Sequence, residues 1–157
     1  MTDPRAIMYE EGRRNALDLA SRAKDMDGTA IIAEEDHIPA WSDKTDYTGK
    51  PSNTPVRDGD QVWLLLIPHN ASHYPGRPST LRSLWGLAHT KDPAKAKPWV
   101  ASYGTSGLYK VDECCTYPAE DGIDHVWRNK HDNNEFPPLT LNVESRWEDL
   151  GEVSLWQ

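Results

Sequence analysis

The chain of 157 residues contains one sequence pattern twice, and this repeat constrains the fold more than any other feature. The first copy, residues 58–85, has an Asp-Gly pair, the dipeptide Val62-Trp63, a polar loop, a proline and a closing tryptophan. The second copy, residues 121–147, has the same elements in the same order around Val126-Trp127. Self-similarity of this kind indicates two copies of one small domain.

Aromatic residues mark equivalent positions in the two copies. Within each copy an Asn follows the Trp of the Val-Trp dipeptide by seven residues, and a Trp and a Tyr precede the Asp-Gly pair. The markers are Trp41, Tyr47, Trp63 and Trp85 in the first copy and Trp99, Tyr109, Trp127 and Trp147 in the second. A small β domain has few other large groups to bury, so we predict that the last two Trp residues of each copy are core residues.

Composition limits the classes of partner. Each copy has fewer than about 60 residues, a size at which a lone hydrophobic core is marginal. The net charge is −8 and the sequence pI is about 5.2. Nucleic acids and anionic membranes attract basic surfaces, so neither is an expected partner. The sequence shows no apolar run of transmembrane length and no signal-peptide pattern at its start, and we expect a protein made in the cytoplasm.

The first part of the chain has helical periodicity. Residues 5–26 are rich in Arg, Glu, Ala and Leu, with small apolar residues at helical spacing. We predict a helix here and a second, short helix that Thr29 caps, ending before Pro39. This helical segment, residues 1–38, either covers the first β module or serves as an arm that docks on a partner or on other copies of the chain.

Short strands separated by Pro, Gly, Asn and Asp follow. We predict an α+β fold, mainly β, in which the helical segment precedes two small three-stranded β modules at residues 41–88 and 99–151. Residues 89–98 read as a linker. The central strand of the first module, Gln61–Ile67, is apolar on both faces and is expected to be covered on both sides. The equivalent strand around Asn129 has one polar face, so we expect the second module to be more exposed.

The two cysteines, Cys114 and Cys115, are adjacent. Vicinal disulfides are strained and rare, so a disulfide framework is excluded. A zinc site made of both cysteines with His125 and His131 has unsuitable geometry, because neighbouring residues on a strand point to opposite faces. We therefore expect one cysteine in the core and one outside it, and no metal or other cofactor.

An enzymatic reading is weaker than a binding one. His125, His131 and Asp132 can be drawn as an acid–base set. The sequence shows no nucleophile motif, phosphate loop or recognised metal spacing, and modules this small seldom enclose a reaction pocket. We expect a protein that is not an enzyme.

The order of Trp, Tyr, turn, Val-aromatic, polar loop, Pro and closing Trp resembles the carbohydrate-binding modules of families 5 and 12, which bind chitin and cellulose. The resemblance covers residues 41–150 and includes Pro78 and Pro137. It implies a small three-stranded sheet and sugar stacking on an aromatic pair just after the central strand. Here that place holds residues 68–70 and 131–133, which contain no Trp pair. This departure from the family pattern argues against tight binding to crystalline chitin or cellulose.

The polar loops after the Val-Trp strands are the predicted sugar contacts. A sugar ring offers an apolar face that stacks on aromatic rings and hydroxyls that need hydrogen-bond donors and acceptors. The candidate ligand-binding residues are His69, Asn70, His73 and Tyr74 in the first copy and His131, Asp132, Asn133 and Phe136 in the second. Asn70 and Asn134 have an alternative role as turn-forming residues that bond their own backbone.

The implied partner is a polysaccharide or cell-wall glycan. A helical leader, no secretion signal and tandem modules are also similar to small virion proteins of tailed phages and prophages. That resemblance implies a virion-associated protein on a tail or head surface that contacts the host glycan. The N-terminal helices would contact other virion proteins or associate with copies of themselves. The alternative is a purely structural virion or assembly protein whose modules no longer bind sugar.

Overall fold

A computed structural model describes residues 3–157 of the chain. The chain divides into two compact units, Met1–Gly86 and Leu87–Gln157. Two helices come first, followed by a three-stranded sheet and a four-stranded sheet. The predicted α+β class is therefore confirmed, and each unit contains one copy of the repeat.

The elements of the first unit begin with two helices. Asp3 caps the first helix by accepting a hydrogen bond from the N–H of Arg5, and Pro4 occupies the first turn, where a missing N–H costs nothing. The elements are α1 (Pro4–Arg22), a 3₁₀ turn (Ala23–Asp25), α2 (Gly28–Ala33), a second 3₁₀ turn (Glu35–His37), β1 (Pro55–Asp58), β2 (Gln61–Leu65) and β3 (Trp85–Leu87).

The two halves of α1 differ in burial. Every residue from 3 to 15 is exposed, whereas Leu19 and Ala20 are buried. In α2, Ile31 and Ile32 are fully buried. The predicted cap of α2 was wrong by two residues: Asp27, not Thr29, accepts the hydrogen bond from the N–H of Ala30. The helical segment thus supplies core residues only from its C-terminal part.

We expect truncation and core substitution of this segment to have opposite effects. Removing residues 1–14 should leave the thermal melting temperature nearly unchanged, because every residue from 3 to 14 is exposed. Ile32→Ala should lower the free energy of unfolding by about 2–5 kcal/mol, as large-to-small core changes do. Circular dichroism melts of the two variants check this. A large drop in the melting temperature of the truncated protein would show that the exposed half of α1 stabilises the fold.

The first sheet has the strand order β1-β2-β3. Strands β1 and β2 are antiparallel and are joined by a tight turn in which Gly59 has a φ of 59°. The predicted central strand was two residues too long. The N–H groups of Leu66 and Ile67 both donate to the carbonyl of Leu84, which breaks the ladder pattern, and both side chains are exposed. The expected cover over both faces therefore ends at Leu65.

The second sheet has four strands instead of the predicted three. The additional strand has only two residues and pairs parallel with the next strand, whereas the other pairs are antiparallel. The strands are β4 (Lys97–Pro98), β5 (Cys114–Pro118), β6 (Asp124–Asn129) and β7 (Trp147–Glu152), in the order β4-β5-β6-β7.

The segment predicted as a linker, residues 89–98, is part of the second unit. The ring of His89 stacks on that of Tyr109 with centroids 3.7 Å apart, and Thr90 pairs with Cys114. His89 and Thr90 are both buried. The linker interpretation was wrong because these lysines and prolines themselves form a 3₁₀ turn, Pro93–Lys95, and a short strand, Lys97–Pro98.

The two units share ring contacts and backbone hydrogen bonds at the positions that the sequence repeats. In each unit a Tyr ring meets the closing Trp edge to face with centroids 5.1 Å apart, in the pairs Tyr47 with Trp85 and Tyr109 with Trp147. In each unit, the backbone N–H of the upstream Trp also donates a hydrogen bond to the first long strand. The two bonds are Trp41 N to Arg57 O (2.7 Å) and Trp99 N to Thr116 O (3.0 Å). The four Trp residues predicted as core are buried.

The two copies differ chemically at one buried position. Asn53 and Asp112 both have a left-handed backbone, and their N–H groups donate to the carbonyls of Leu65 and Asn129 respectively. Leu65 and Asn129 are therefore equivalent, and both are fully buried. The expectation that the polar strand of the second copy is more exposed was wrong at this residue.

The amide of buried Asn129 is surrounded by hydrogen-bond partners. Its Nδ2 donates to the carbonyls of Tyr109, Lys110 and His131, and its Oδ1 accepts from the N–H of His131 and from Asn134 Nδ2. A buried polar group is tolerated only when it is paired in this way. Asn129 thus connects β6 to the loops on either side of it.

Exchanging the two equivalent residues should destabilise both units. Asn129→Leu removes the acceptor of the buried Asn134 side-chain amide and of the N–H of His131, and an unpaired buried group costs about 1–3 kcal/mol, so we expect a loss of at least about 1 kcal/mol. Leu65→Asn buries an amide in apolar surroundings and should cost a similar amount. The matched control is Asn15→Leu, an exposed site on α1. Urea unfolding measures the three changes, and an unaltered Asn129→Leu midpoint would contradict the role of this network.

Candidate functional site

His69, a predicted sugar contact, is a core residue. Its side chain is buried, its Nδ1 lies 2.7 Å from the carbonyl of Ile67, and its ring meets that of Trp85 edge to face. The sequence places His69 at the start of a polar loop, but the chain turns inward there. The ring therefore packs against Trp85 instead of forming a surface for ligand.

The rest of this loop forms one tight turn. Asn70 Oδ1 accepts hydrogen bonds from the N–H and hydroxyl of Ser72, and the carbonyl of Asn70 accepts from the N–H groups of His73 and Tyr74. Asn134 likewise accepts from the N–H of Phe136, so the turn-forming role predicted for both Asn residues is confirmed. The side chains of His73 and Tyr74 are exposed on the surface of this turn.

The predicted polar contacts of the second copy are also exposed. His131 bonds the carbonyl of Asp132 through its Nδ1, and the ammonium group of Lys110 donates to the side chain of Asn133. Asn133 has a left-handed backbone with a φ of 52°. These three neighbours present polar groups to solvent on a turn that contains no Trp, Tyr or Phe.

Phe136 lies elsewhere, in a groove of about 240 Å³ in the second unit. Leu139, in the wall of the groove, has a φ of 65°, a conformation that costs a branched residue about 1–3 kcal/mol. The groove is lined by Glu120, Trp127, Phe136, Pro137, Leu139, Thr140, Leu141, Val143, Glu144, Ser145, Arg146 and Trp147. We call this the Phe136 groove.

The two tryptophans of the Phe136 groove are fixed by their indole N–H groups. Trp147 Nε1 donates to the carbonyl of Phe136 at 2.8 Å, and Trp127 Nε1 donates to the carbonyl of Tyr117 at 3.0 Å. Both rings are almost fully buried. They form a rigid base under the groove, and the half-buried Phe136 is the more accessible ring.

Charged groups surround these rings. The guanidinium of Arg146 lies over the ring of Phe136 at 5.3 Å from its centroid. Arg146 Nε is buried and has no hydrogen-bond partner among residues 3–157. Glu120 and Glu144 are exposed residues of the same groove. The arrangement offers hydrogen-bond donors, acceptors and an aromatic face within the space of a small ring.

Among the residues of this groove, the sequence analysis selected only Phe136 as a ligand contact, and it missed Arg146 and both carboxylates. A usable signal was present. Arg146 directly precedes a repeat Trp, and a loop that contains Pro137-Pro138 is too irregular to be a simple connection.

The fold divides the alternative acid–base set of His125, His131 and Asp132. His125 Nδ1 lies 2.8 and 3.0 Å from the two carboxylate oxygens of Asp149, and this hydrogen bond raises the pKa of His125. The ring of His131 instead bonds the backbone carbonyl of Asp132. The carboxylate partner of His125 is thus Asp149, a residue that the sequence analysis did not select.

Both cysteines are buried, which corrects the expectation that one lies outside the core. Cys115 belongs to the core cluster with Tyr109, Trp127 and Trp147, and Cys114 is covered by the segment that contains Thr90. Burial raises the pKa of the Cys114 thiol to about 11 and raises that of Cys115 further. Neither residue offers a thiolate at neutral pH.

Comparisons of the chain with protein-family models, with curated proteins and with solved structures find no match. Among the helices of residues 3–157, none has the length and apolar character needed to cross a membrane.

We expect the two thiols to be unreactive in the folded protein. A thiol reagent such as 5,5′-dithiobis(2-nitrobenzoic acid) at pH 8 should modify Cys114 and Cys115 only after urea unfolds the chain, because the thiolate is the reactive form and burial suppresses it. The release of the coloured product measures the reaction. Rapid modification of one thiol without urea would place that cysteine on the surface.

Proposed function

We propose that this protein is a non-catalytic glycan-binding protein and that the Phe136 groove holds one sugar ring of a host polysaccharide. The observation that carries the proposal is the joint presence of Phe136, Arg146 and two carboxylates in one groove. Loops held on a rigid sheet are a common location for binding sites. The class of ligand follows from the chemistry of these groups.

A sugar ring matches both parts of this chemistry. Its C–H face packs on an aromatic ring, and its hydroxyls pair with guanidinium donors and carboxylate acceptors. A groove of about 240 Å³ is smaller than the roughly 300–1,000 Å³ of sites for drug-sized ligands. It suits a single ring of a longer chain, and it agrees with the weak binding expected from the absence of the Trp pair that the family uses.

The first unit offers a second, simpler contact. The exposed Tyr74 ring and the neighbouring His73 present one stacking surface and one polar group on the same turn. One ring on an open surface binds weakly. Two weak sites in one chain gain apparent affinity for a repeating polymer by effective concentration, which favours a polysaccharide over a free monosaccharide.

The rival proposal is a structural or assembly component. It is favoured by the exposed apolar side chains Ile7, Met8 and Tyr9 on the outer half of α1. Under either proposal the sequence resemblance favours a location on a phage or prophage particle, with the glycan-binding proposal adding contact with the host surface.

A glycan array with the purified full chain identifies the ligand class, and titration calorimetry with the best polysaccharide then tests the site. Phe136→Ala should weaken binding about 10-fold, corresponding to about 1.4 kcal/mol. Arg146→Gln keeps the ring and should also weaken binding. Circular dichroism melts confirm that the variants are folded.

The double variant His131→Ala with Asn133→Ala is the matched comparison. It changes the exposed turn that the sequence analysis favoured and leaves the Phe136 groove intact, so we expect unaltered affinity. Loss of binding in this variant, with full binding in Phe136→Ala, would move the site to the turn. Absence of any glycan ligand would favour the assembly role.

A further inference from the structure

A cluster of three potential metal ligands lies at the end of the second sheet where β6 begins and β7 ends. Asp121 is in the loop before β6, and His125 pairs with Glu152 across the two strands. One ring nitrogen of His125 and one carboxylate oxygen from each acidic residue lie within 4.8 Å of one another. We propose that Asp121, His125 and Glu152 bind a divalent transition metal ion, with Zn²⁺ as the best match.

The first argument is the orientation of His125. Asp149 accepts from His125 Nδ1, so Nδ1 carries the hydrogen and the lone pair of a neutral ring is on Nε2. Asp149 is itself held by the N–H of Gly151 at 2.8 Å. A carboxylate that fixes the tautomer in this way is the usual outer partner of a metal-binding histidine.

The second argument is the state of the other nitrogen. His125 Nε2 is buried from solvent and has no hydrogen-bond partner among residues 3–157. Buried polar atoms in native proteins are nearly always paired, and each exception calls for an explanation. A metal ion bound between Nε2 and the two carboxylates supplies the missing partner.

The carboxylates are suitably placed. Asp121 uses one oxygen, Oδ1, to accept from the N–H of Ile123, which leaves Oδ2 for a ligand. Glu152 is exposed at the end of β7. Zinc bonds of about 2.0–2.2 Å place tetrahedral ligand atoms roughly 3–3.6 Å apart, so the exposed side chains need only a small rotation.

The choice of Zn²⁺ follows from the donor set. One imidazole nitrogen with two carboxylate oxygens suits zinc, whereas Ca²⁺ and Mg²⁺ take oxygen ligands. Three protein ligands leave a fourth position for water. The buried thiols of Cys114 and Cys115 do not compete in the folded protein, because their pKa values are raised far above neutrality.

The same residues also fit a simpler arrangement, in which a protonated His125 is held only by Asp121, Asp149 and Glu152. The two arrangements differ in their response to metal. A zinc site binds one ion per chain and needs all three ligands. A protonated histidine whose charge the carboxylates neutralise offers no lone pair to a metal ion, and this arrangement therefore binds no ion in a saturable way.

Titration calorimetry of ZnCl₂ into the full chain, free of any histidine tag and previously treated with EDTA, tests the proposal. We expect one saturable site and a higher melting temperature that EDTA reverses. Asp121→Asn and Glu152→Gln change exposed residues, so they should fold normally and lower the zinc affinity at least about 10-fold. Asp149→Asn should lower it about 10–100-fold through the orientation of His125.

The matched controls are His131→Gln and Glu135→Gln, exposed residues of the same unit outside the cluster. Both should bind zinc like the unaltered chain. Absence of a saturable site, full affinity in both Asp121→Asn and Glu152→Gln, or an equal loss in His131→Gln would each overturn the proposal. No glycan is used, so the result is independent of the binding role proposed for the Phe136 groove.

Discussion

The edge-to-face contact between a tyrosine and the closing tryptophan is the interaction on which both sheets depend. It has the same centroid separation in Tyr47 with Trp85 as in Tyr109 with Trp147, and all four rings are buried. Such a pair contributes about 0.5–1.5 kcal/mol beyond the area that it buries. Because each ring comes from a different end of its module, the pair also closes the loop between them. The loops that carry the candidate sites are therefore anchored by the same rings that form the core.

The repeat made the shared architecture predictable, because Trp, Tyr and Asp-Gly at fixed spacing indicate rings and turns directly. The failures occurred where burial depends on tertiary contacts. Strand alternation predicts opposite faces for Cys114 and Cys115, but the segment containing Thr90 covers the outer one. A polar loop predicts an exposed His69, yet its ring fills space beside Trp85. The two-residue strand β4 is too short to show any periodicity.

The candidate site shows the same division. Phe136 was predictable from its loop, whereas Arg146 follows a stretch with three left-handed residues, Asn133, Leu139 and Asn142, and Glu120 lies in the turn before β6. Two of these are Asn, a residue that tolerates this conformation, but no sequence pattern predicts a left-handed backbone at a Leu. His125 was noticed as a titratable group, but its partner Asp149 lies 24 residues away on the neighbouring strand. Pairing of that kind depends on strand register, which short strands specify weakly.

Buried Asn129 has a consequence for how a duplicated chain reaches its native state. Two similar modules in one polypeptide can exchange strands, and this misassembly is a known hazard of repeat proteins. A strand β6 placed in the first module would bring the amide of Asn129 to the apolar position of Leu65, while β2 in the second would leave the buried side-chain amide of Asn134 without its acceptor. Both exchanged forms contain an unpaired polar group and are therefore less stable than the native form. A single polar residue at this position therefore favours the native pairing of each strand within its own half of the chain.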